Sequence, residues 1–147
     1  MKMNYDKMVK LNPKKVLFVI LHHAAASQCS AEQINQWHLK RGWAGIGYHF
    51  LIRKDGTVEE GRPIQYVGAH CNGNNSCSIG VCLEGDFRKE KPTNEQIEAL
   101  NNLIPKIRKV YPTIKRILNH NDLYKTACPV VNLKGMVKGT NQRGDLV

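Results

Sequence analysis

The chain has 147 residues, 41% of them hydrophobic and 23% charged. That is enough for one domain with its own core, and no apolar run approaches the ~20 residues that a membrane helix needs. Lysine and arginine outnumber aspartate and glutamate by 22 to 12, a formal charge of +10 that suits an anionic partner such as a cell wall or a nucleic acid. No zinc-finger spacing, aromatic RNA-binding motif or Gly-rich phosphate loop accompanies the charge, so specific nucleic-acid binding is not expected.

Residues 1–15 are polar and lysine-rich and read as an N-terminal arm. Val16 to Leu21 is a continuous apolar run, as in a strand covered on both faces. It is shorter than the ~7–15 residues of a signal-peptide core, which predicts synthesis in the cytoplasm without a signal peptide. His22 and His23 stand at its end. Ser30 with Gln33 makes a capping box for a helix over about 31 to 41, stopped at Gly42. Gly47 to Arg53 reads as a strand, Asp55-Gly56 as a hairpin turn and Val58 to Glu60 as the returning strand. Gly68 to Ser76 is a loop, and Ile79 to Glu84 another strand.

Thr93 with Gln96 caps a second helix. It places Ile97, Leu100, Ile104, Ile107 and Tyr111 on one face, with a kink expected at Pro105. Ile114 to Leu118 is a strand that delivers His120. Val131 to Lys138 predicts a short helix, and residues 139–147 a frayed tail. The expected fold is a single α/β domain over residues 16–138, with a central mixed β-sheet flanked by helices.

The five cysteines, at 29, 71, 77, 82 and 128, are an odd set and read as free thiols, with Cys71 and Cys77 the one close pair. Among six histidines, His22 and His120 both end strands, and Cys128 returns on the loop after His120. Two imidazoles and a thiolate are good zinc ligands, and three protein ligands leave one position for water, as catalysis requires. His23 is the rival first ligand. Adjacent strand residues point to opposite faces, so one of the pair faces the metal and the other packs elsewhere. His38 and His49 read as satisfied core histidines, and Trp37, Trp43 and Phe50 as core. Glu84 and Asp122 read as structural or surface carboxylates.

Several fragments occur together in a family order: His22-His23-Ala24-Ala25, Trp37-His38, Arg41-Gly42-Trp43, Gly47-Tyr48-His49-Phe50, Asp55-Gly56-Thr57, Gly68-Ala69-His70, Asn75, Ser78-Ile79-Gly80-Val81 and His120 through Cys128-Pro129. In them the chain resembles the zinc-dependent N-acetylmuramoyl-L-alanine amidases, in the branch with T7 phage lysozyme and the peptidoglycan recognition proteins. The resemblance runs from about Val16 to Lys138. It implies a zinc site at strand ends in a surface groove, with one Zn2+ held by His22, His120 and Cys128. The reaction it implies is hydrolysis of the amide between the lactyl group of N-acetylmuramic acid and L-alanine of the stem peptide.

It further implies catalytic roles for Tyr48 and Thr126, with Lys125 beside Thr126 as the rival for the same place. His70 and Asn75, on the Gly-rich loop, are expected to contact muropeptide together with Lys125. The expected protein is a monomer acting on peptidoglycan, without membrane association, at the cell wall after holin-type release. The competing readings are a non-catalytic peptidoglycan-binding module of the same fold and a basic regulatory or nucleic-acid protein.

Overall fold

In the computed structural model, which describes residues 1–147, the apolar run after the arm becomes strand β1 (Phe18–His23). Helix α1 (Ala31–Lys40) follows, then the hairpin of β2 (Phe50–Ile52) and β3 (Val58–Glu60). Strand β4 (Ser78–Leu83), helix α2 (Asn94–Val110), β5 (Arg116–Asn119) and a single helical turn, α3 (His120–Leu123), complete the order. The sheet runs β3-β2-β4-β1-β5, parallel except for the β2–β3 hairpin. No helix is long and apolar enough to cross a membrane.

Both capping boxes form. Ser30 and Thr93 accept from the backbone N–H of Gln33 and Gln96, whose side chains reach back to the cap residues. Helix α2 runs unbroken through Pro105, which lies on its exposed side.

The two faces of the sheet are covered differently. Val19, Leu21, Ile52, Val81, Leu83 and Ile117 pack against Leu100, Leu103, Ile104 and Ile107 of α2 in the main core. Leu51 and Cys82 pack on the other face with Ala31 and Ile34 of α1 and with Ile46. Burying these side chains is the main favourable term in the fold, at about 25 cal/mol per Å2 of apolar surface. The register pairs His22 with Cys82 and Cys82 with Leu51, which places His22 on the α1 face. Strand alternation then sends His23 to the α2 face, where its ring stacks on Phe87.

Several expectations are corrected. The inward face of α1 is Ala31, Ile34, Asn35 and His38, so Trp37 is left 40% exposed and Trp43 36% exposed. Polar residues win those places because they satisfy the backbone of the following loop: Ile46 N–H donates to Asn35 Oδ1 (2.7 Å) and Gly47 N–H to His38 Nδ1 (2.9 Å). The strand expected from Gly47 is only Phe50–Ile52, and the helix expected over Val131 to Lys138 is one 3-10 turn, Lys134–Met136. The arm is also engaged, bridging Lys10 to Tyr66.

The C-terminal tail is not frayed. It lies along β5, with Ile117 N–H donating to Gly144 C=O (2.8 Å), Leu146 N–H to Lys115 C=O (3.1 Å) and Asp145 paired with Arg116 (3.3 Å). Gly144 has φ +80°, and a Cβ there would lie 1.9 Å from the Ile117 carbonyl oxygen. Gly144→Ala is therefore expected to lower stability by about 1–3 kcal/mol. Urea unfolding checks this: the midpoint should fall at unchanged m, and an unmoved midpoint would mean that the tail is loose.

Candidate metal centre

Parallel pairing of β1 with β5 matches Ile20 to Leu118 and Leu21 to Asn119. Continued by one residue, that register sets His120 beside His22 on the same face, and their ring centroids lie 4.5 Å apart. His120 opens α3, whose first turn is held by Asn119 N–H donating to Asp122 Oδ2 (2.8 Å). Asp122 also pairs with Lys134 (2.9 Å), so it braces the turn. The loop then folds back. Asn121 N–H donates to Cys128 C=O (2.9 Å), and Cys128 Sγ comes to 3.9 Å from His22 Nδ1. One ligand atom from each of His22, His120 and Cys128 lies within 4.8 Å of the other two.

The chemistry of the donors fits a metal. Both ring nitrogens of His120 are shielded from solvent and have no hydrogen-bond partner. Leaving a buried polar group unpaired costs about 1–3 kcal/mol, and a coordinated cation removes that cost. Burial, then the neighbouring His70, His120 and His23, hold His22 well below the usual histidine pKa, so its lone pair is available. Burial pushes the Cys128 thiol up to about 11. Two imidazoles and one sulfur are the donor types that zinc takes, and three protein donors are the usual complement of a catalytic zinc site.

The other histidines are satisfied differently. His23 Nδ1 accepts from Phe87 N–H (3.1 Å), and His49 Nδ1 accepts from Gly80 N–H (3.0 Å) while its Nε2 meets Tyr66 C=O (2.7 Å). With His38 Nδ1 already taken by Gly47, these three are structural. Glu84 is structural too: it is buried, accepts from Cys29 N–H and Lys54 N–H, and pairs with Arg53. All five cysteines are free thiols.

A groove of about 440 Å3 opens onto the cluster, lined among others by Arg41, Trp43, Tyr48, His70, His120 and Tyr124. A larger apolar groove of about 540 Å3 lies between α2 and the β2–β3 hairpin, but no histidine or cysteine lines it. Tyr48 places its ring 5.0 Å from that of His22. Burial, then the sulfurs of Cys82 and Cys128, push its pKa well above the usual tyrosine value, so its hydroxyl remains a proton donor.

The Arg41 guanidinium sits 5.3 Å from the Trp43 ring centroid at the groove edge. Thr126 Oγ1 accepts from Cys128 N–H (3.2 Å), and its own O–H is free to donate. Lys125 is exposed and Thr126 half-buried, and neither lines the groove. Asn75 borders the groove, but its Oδ1 is occupied by the N–H groups of His70 and Cys71 (2.8 and 2.9 Å). His70 lines the groove with only 8% of its surface exposed, and its Nδ1 hydrogen-bonds to His22. Sequence reasoning missed that link.

Separate outcomes are expected for the histidine pair. His22→Ala should abolish stoichiometric metal uptake and, by stranding His70 Nδ1 in the interior, also cost about 1–3 kcal/mol. His23→Ala should retain uptake but lose about 1–3 kcal/mol by stranding the Phe87 N–H. Metal analysis alongside urea unfolding reads both, and a reversed pattern would reassign the ligand to His23.

The family profile of N-acetylmuramoyl-L-alanine amidase matches residues 12–130. The endolysin of Enterobacteria phage K11 is 42% identical over 125 residues, covering 79% of this chain and 82% of that protein. In structure, the N-acetylmuramoyl-L-alanine amidase LysC from Clostridium intestinale aligns with a TM-score of 0.78 at 35% identity, covering 88% of this chain and 92% of that one. A tyrosine-to-phenylalanine mutant of the Drosophila recognition protein PGRP-LB, in complex with tracheal cytotoxin, aligns at 0.77 and 31% identity, covering 88% and 82%.

Proposed function

This chain belongs to the N-acetylmuramoyl-L-alanine amidase family and is a peptidoglycan amidase, and we propose that it works with one zinc ion held by His22, His120 and Cys128. The observation that carries the metal assignment is the pair of solvent-shielded, unpartnered ring nitrogens of the half-buried His120, beside an imidazole and a thiol. The bond cleaved joins the lactyl carbonyl of N-acetylmuramic acid to the amine of L-alanine. A zinc ion at this cluster supplies Lewis acidity, which activates water near neutral pH and polarises a carbonyl.

The protein's own residues do the rest. The groove holds the muropeptide against the cluster, with Arg41 and Trp43 at its rim. As water adds to the carbonyl, negative charge develops on its oxygen, and preorganised donors aimed at that oxygen lower the barrier. The Tyr48 hydroxyl is such a donor, because its environment keeps it protonated. The Thr126 hydroxyl is the second, held in the turn that presents Cys128. Its bond to Cys128 N–H favours Thr126 over the outward-facing Lys125.

The likeness to a phage endolysin supports action on the cell wall. The +10 charge favours retention there by anionic wall polymers. Pull-down with intact walls should weaken as salt rises, and salt-independent retention would remove the electrostatic explanation.

Mass spectrometry of digested peptidoglycan tests the reaction. Wild-type protein should release free lactyl ends and stem peptides beginning with L-alanine. Cys128→Ser should lose most metal and activity together. Tyr48→Phe should keep its metal and lose about 10²–10³ in kcat, the usual cost of one oxyanion donor. A Tyr48→Phe enzyme with full kcat would remove that role. Wild-type protein that binds wall fragments without cleaving them would favour a binding module instead.

A further inference from the structure

Residues outside the ligand set form a hydrogen-bonded and steric frame around one ring, His70. His22 Nε2 lies 2.9 Å from His70 Nδ1, and His70 Nε2 lies 3.3 Å from Ser78 Oγ. Ser78 Oγ lies 2.6 Å from the Asn74 carbonyl oxygen. His22, His70 and Ser78 are all buried, so water does not complete these contacts.

The direction of every bond in this series follows from its far end. A backbone carbonyl only accepts, so the Ser78 hydroxyl must donate to Asn74. Having spent its one proton, Ser78 Oγ must accept from His70, whose proton therefore sits on Nε2. No carboxylate pairs with any histidine in the molecule, so nothing offsets the cost of burying a charged imidazole. A neutral His70 with its proton on Nε2 has a bare Nδ1, which must accept from His22 Nε2–H. The remaining nitrogen of His22, Nδ1, then carries a lone pair, and it is the one that faces Cys128 Sγ.

Two glycines make room for this ring. A Cβ on Gly80, in the middle of β4, would lie 2.6 Å from His70 Cγ, and a Cβ on Gly68 would lie 2.7 Å from His70 Cδ2. Glycine inside a strand weakens it and often marks a close approach by another group; here the approaching group is the His70 imidazole. Asn75 fixes the base of the ring by accepting from His70 N–H.

We propose that His70 is a positioning residue, and that the series Asn74–Ser78–His70–His22 sets the tautomer of His22 so that its Nδ1 lone pair is presented to the metal. This rests on the zinc reading given above. Metal-bound histidines commonly donate their second N–H to a carboxylate, a carbonyl or water. This chain uses a second imidazole instead, with the polarity imposed by a carbonyl two bonds further on. The series carries no formal charge, so it orients the ligand without adding an anion behind it.

The test combines imidazole nitrogen NMR with zinc affinity. In the zinc-loaded full chain, His70 should be the Nε2–H tautomer with a bare Nδ1. A His70 proton on Nδ1 would overturn the proposal, because His22 Nε2 could not then donate to it. Competition against a chelator should show zinc binding about 10–100-fold weaker in His70→Leu. His70→Asn, whose Oδ1 can accept where Nδ1 did, should recover a large part of the loss. Unchanged affinity in a folded His70→Leu protein, or no recovery in a folded His70→Asn protein, would also overturn it.

Should His70→Leu not fold, Ser78→Ala retains the ring and its packing. It should mix the His70 tautomers and weaken zinc binding several-fold, and a single unchanged tautomer would count against the series. Wild-type protein that takes up no zinc would defeat the metal reading itself, while the His70 tautomer, read in the same chain, would still decide the direction of the series.

Discussion

Two imidazoles and a thiol brought together under one side of a sheet, with no carboxylate among them, are the constraint on which this molecule turns. Such a cluster is costly in a low-dielectric interior. Most of its polar atoms find partners, but His120 finds none within the protein. A coordinated metal, as proposed, would resolve this because its binding free energy would be added to the free energy of folding. On that reading the fold and the catalytic function meet at the same three side chains.

The sheet serves as the positioning device. Parallel pairing of β1 with β4 and β5 carries His22, Cys82 and the entry to His120 to the same end of the sheet. Rigid, two-side-covered strands hold His22 and the approach to His120 more closely than loops would. The loop that carries Cys128 is then needed only to bring its sulfur to the cluster. It is closed by the Asn121–Cys128 bond and by the Thr126 hydroxyl. In the proposed reaction the donors are set in place before substrate arrives, which is where electrostatic stabilisation of a developing oxyanion is strongest.

Buried polar residues recur around the site, and each supports backbone that the sheet leaves unpaired. Asn35 and His38 serve the loop before Tyr48, His49 serves Gly80, and Glu84 joins the turns after β1 and β2. Together they explain why so many polar side chains lie inside a basic, wall-directed protein. They fix loops that carry Tyr48 and His70 to the groove. Where an observed face differs from the one that periodicity predicts, this demand for backbone partners is usually the reason. It rotates the inner face of α1 away from Trp37.

The strands, the two capped helices and the clustering of His22, His120 and Cys128 were legible in the sequence itself. They depend on local periodicity, on cap chemistry and on a motif order that repeats within a family. The alternation of β-strands also reduced the His22–His23 choice to one of face. Only the tertiary structure decided which face that was, because it depends on which side of the sheet α1 covers. The same holds for the tail along β5, for the exposure of Trp43, and for the His22–His70–Ser78 series. Each of these joins segments far apart in the chain, such as His22 and His70. Spacing along a sequence records which residues are neighbours on one element. It does not record which loop will be laid across a glycine on another.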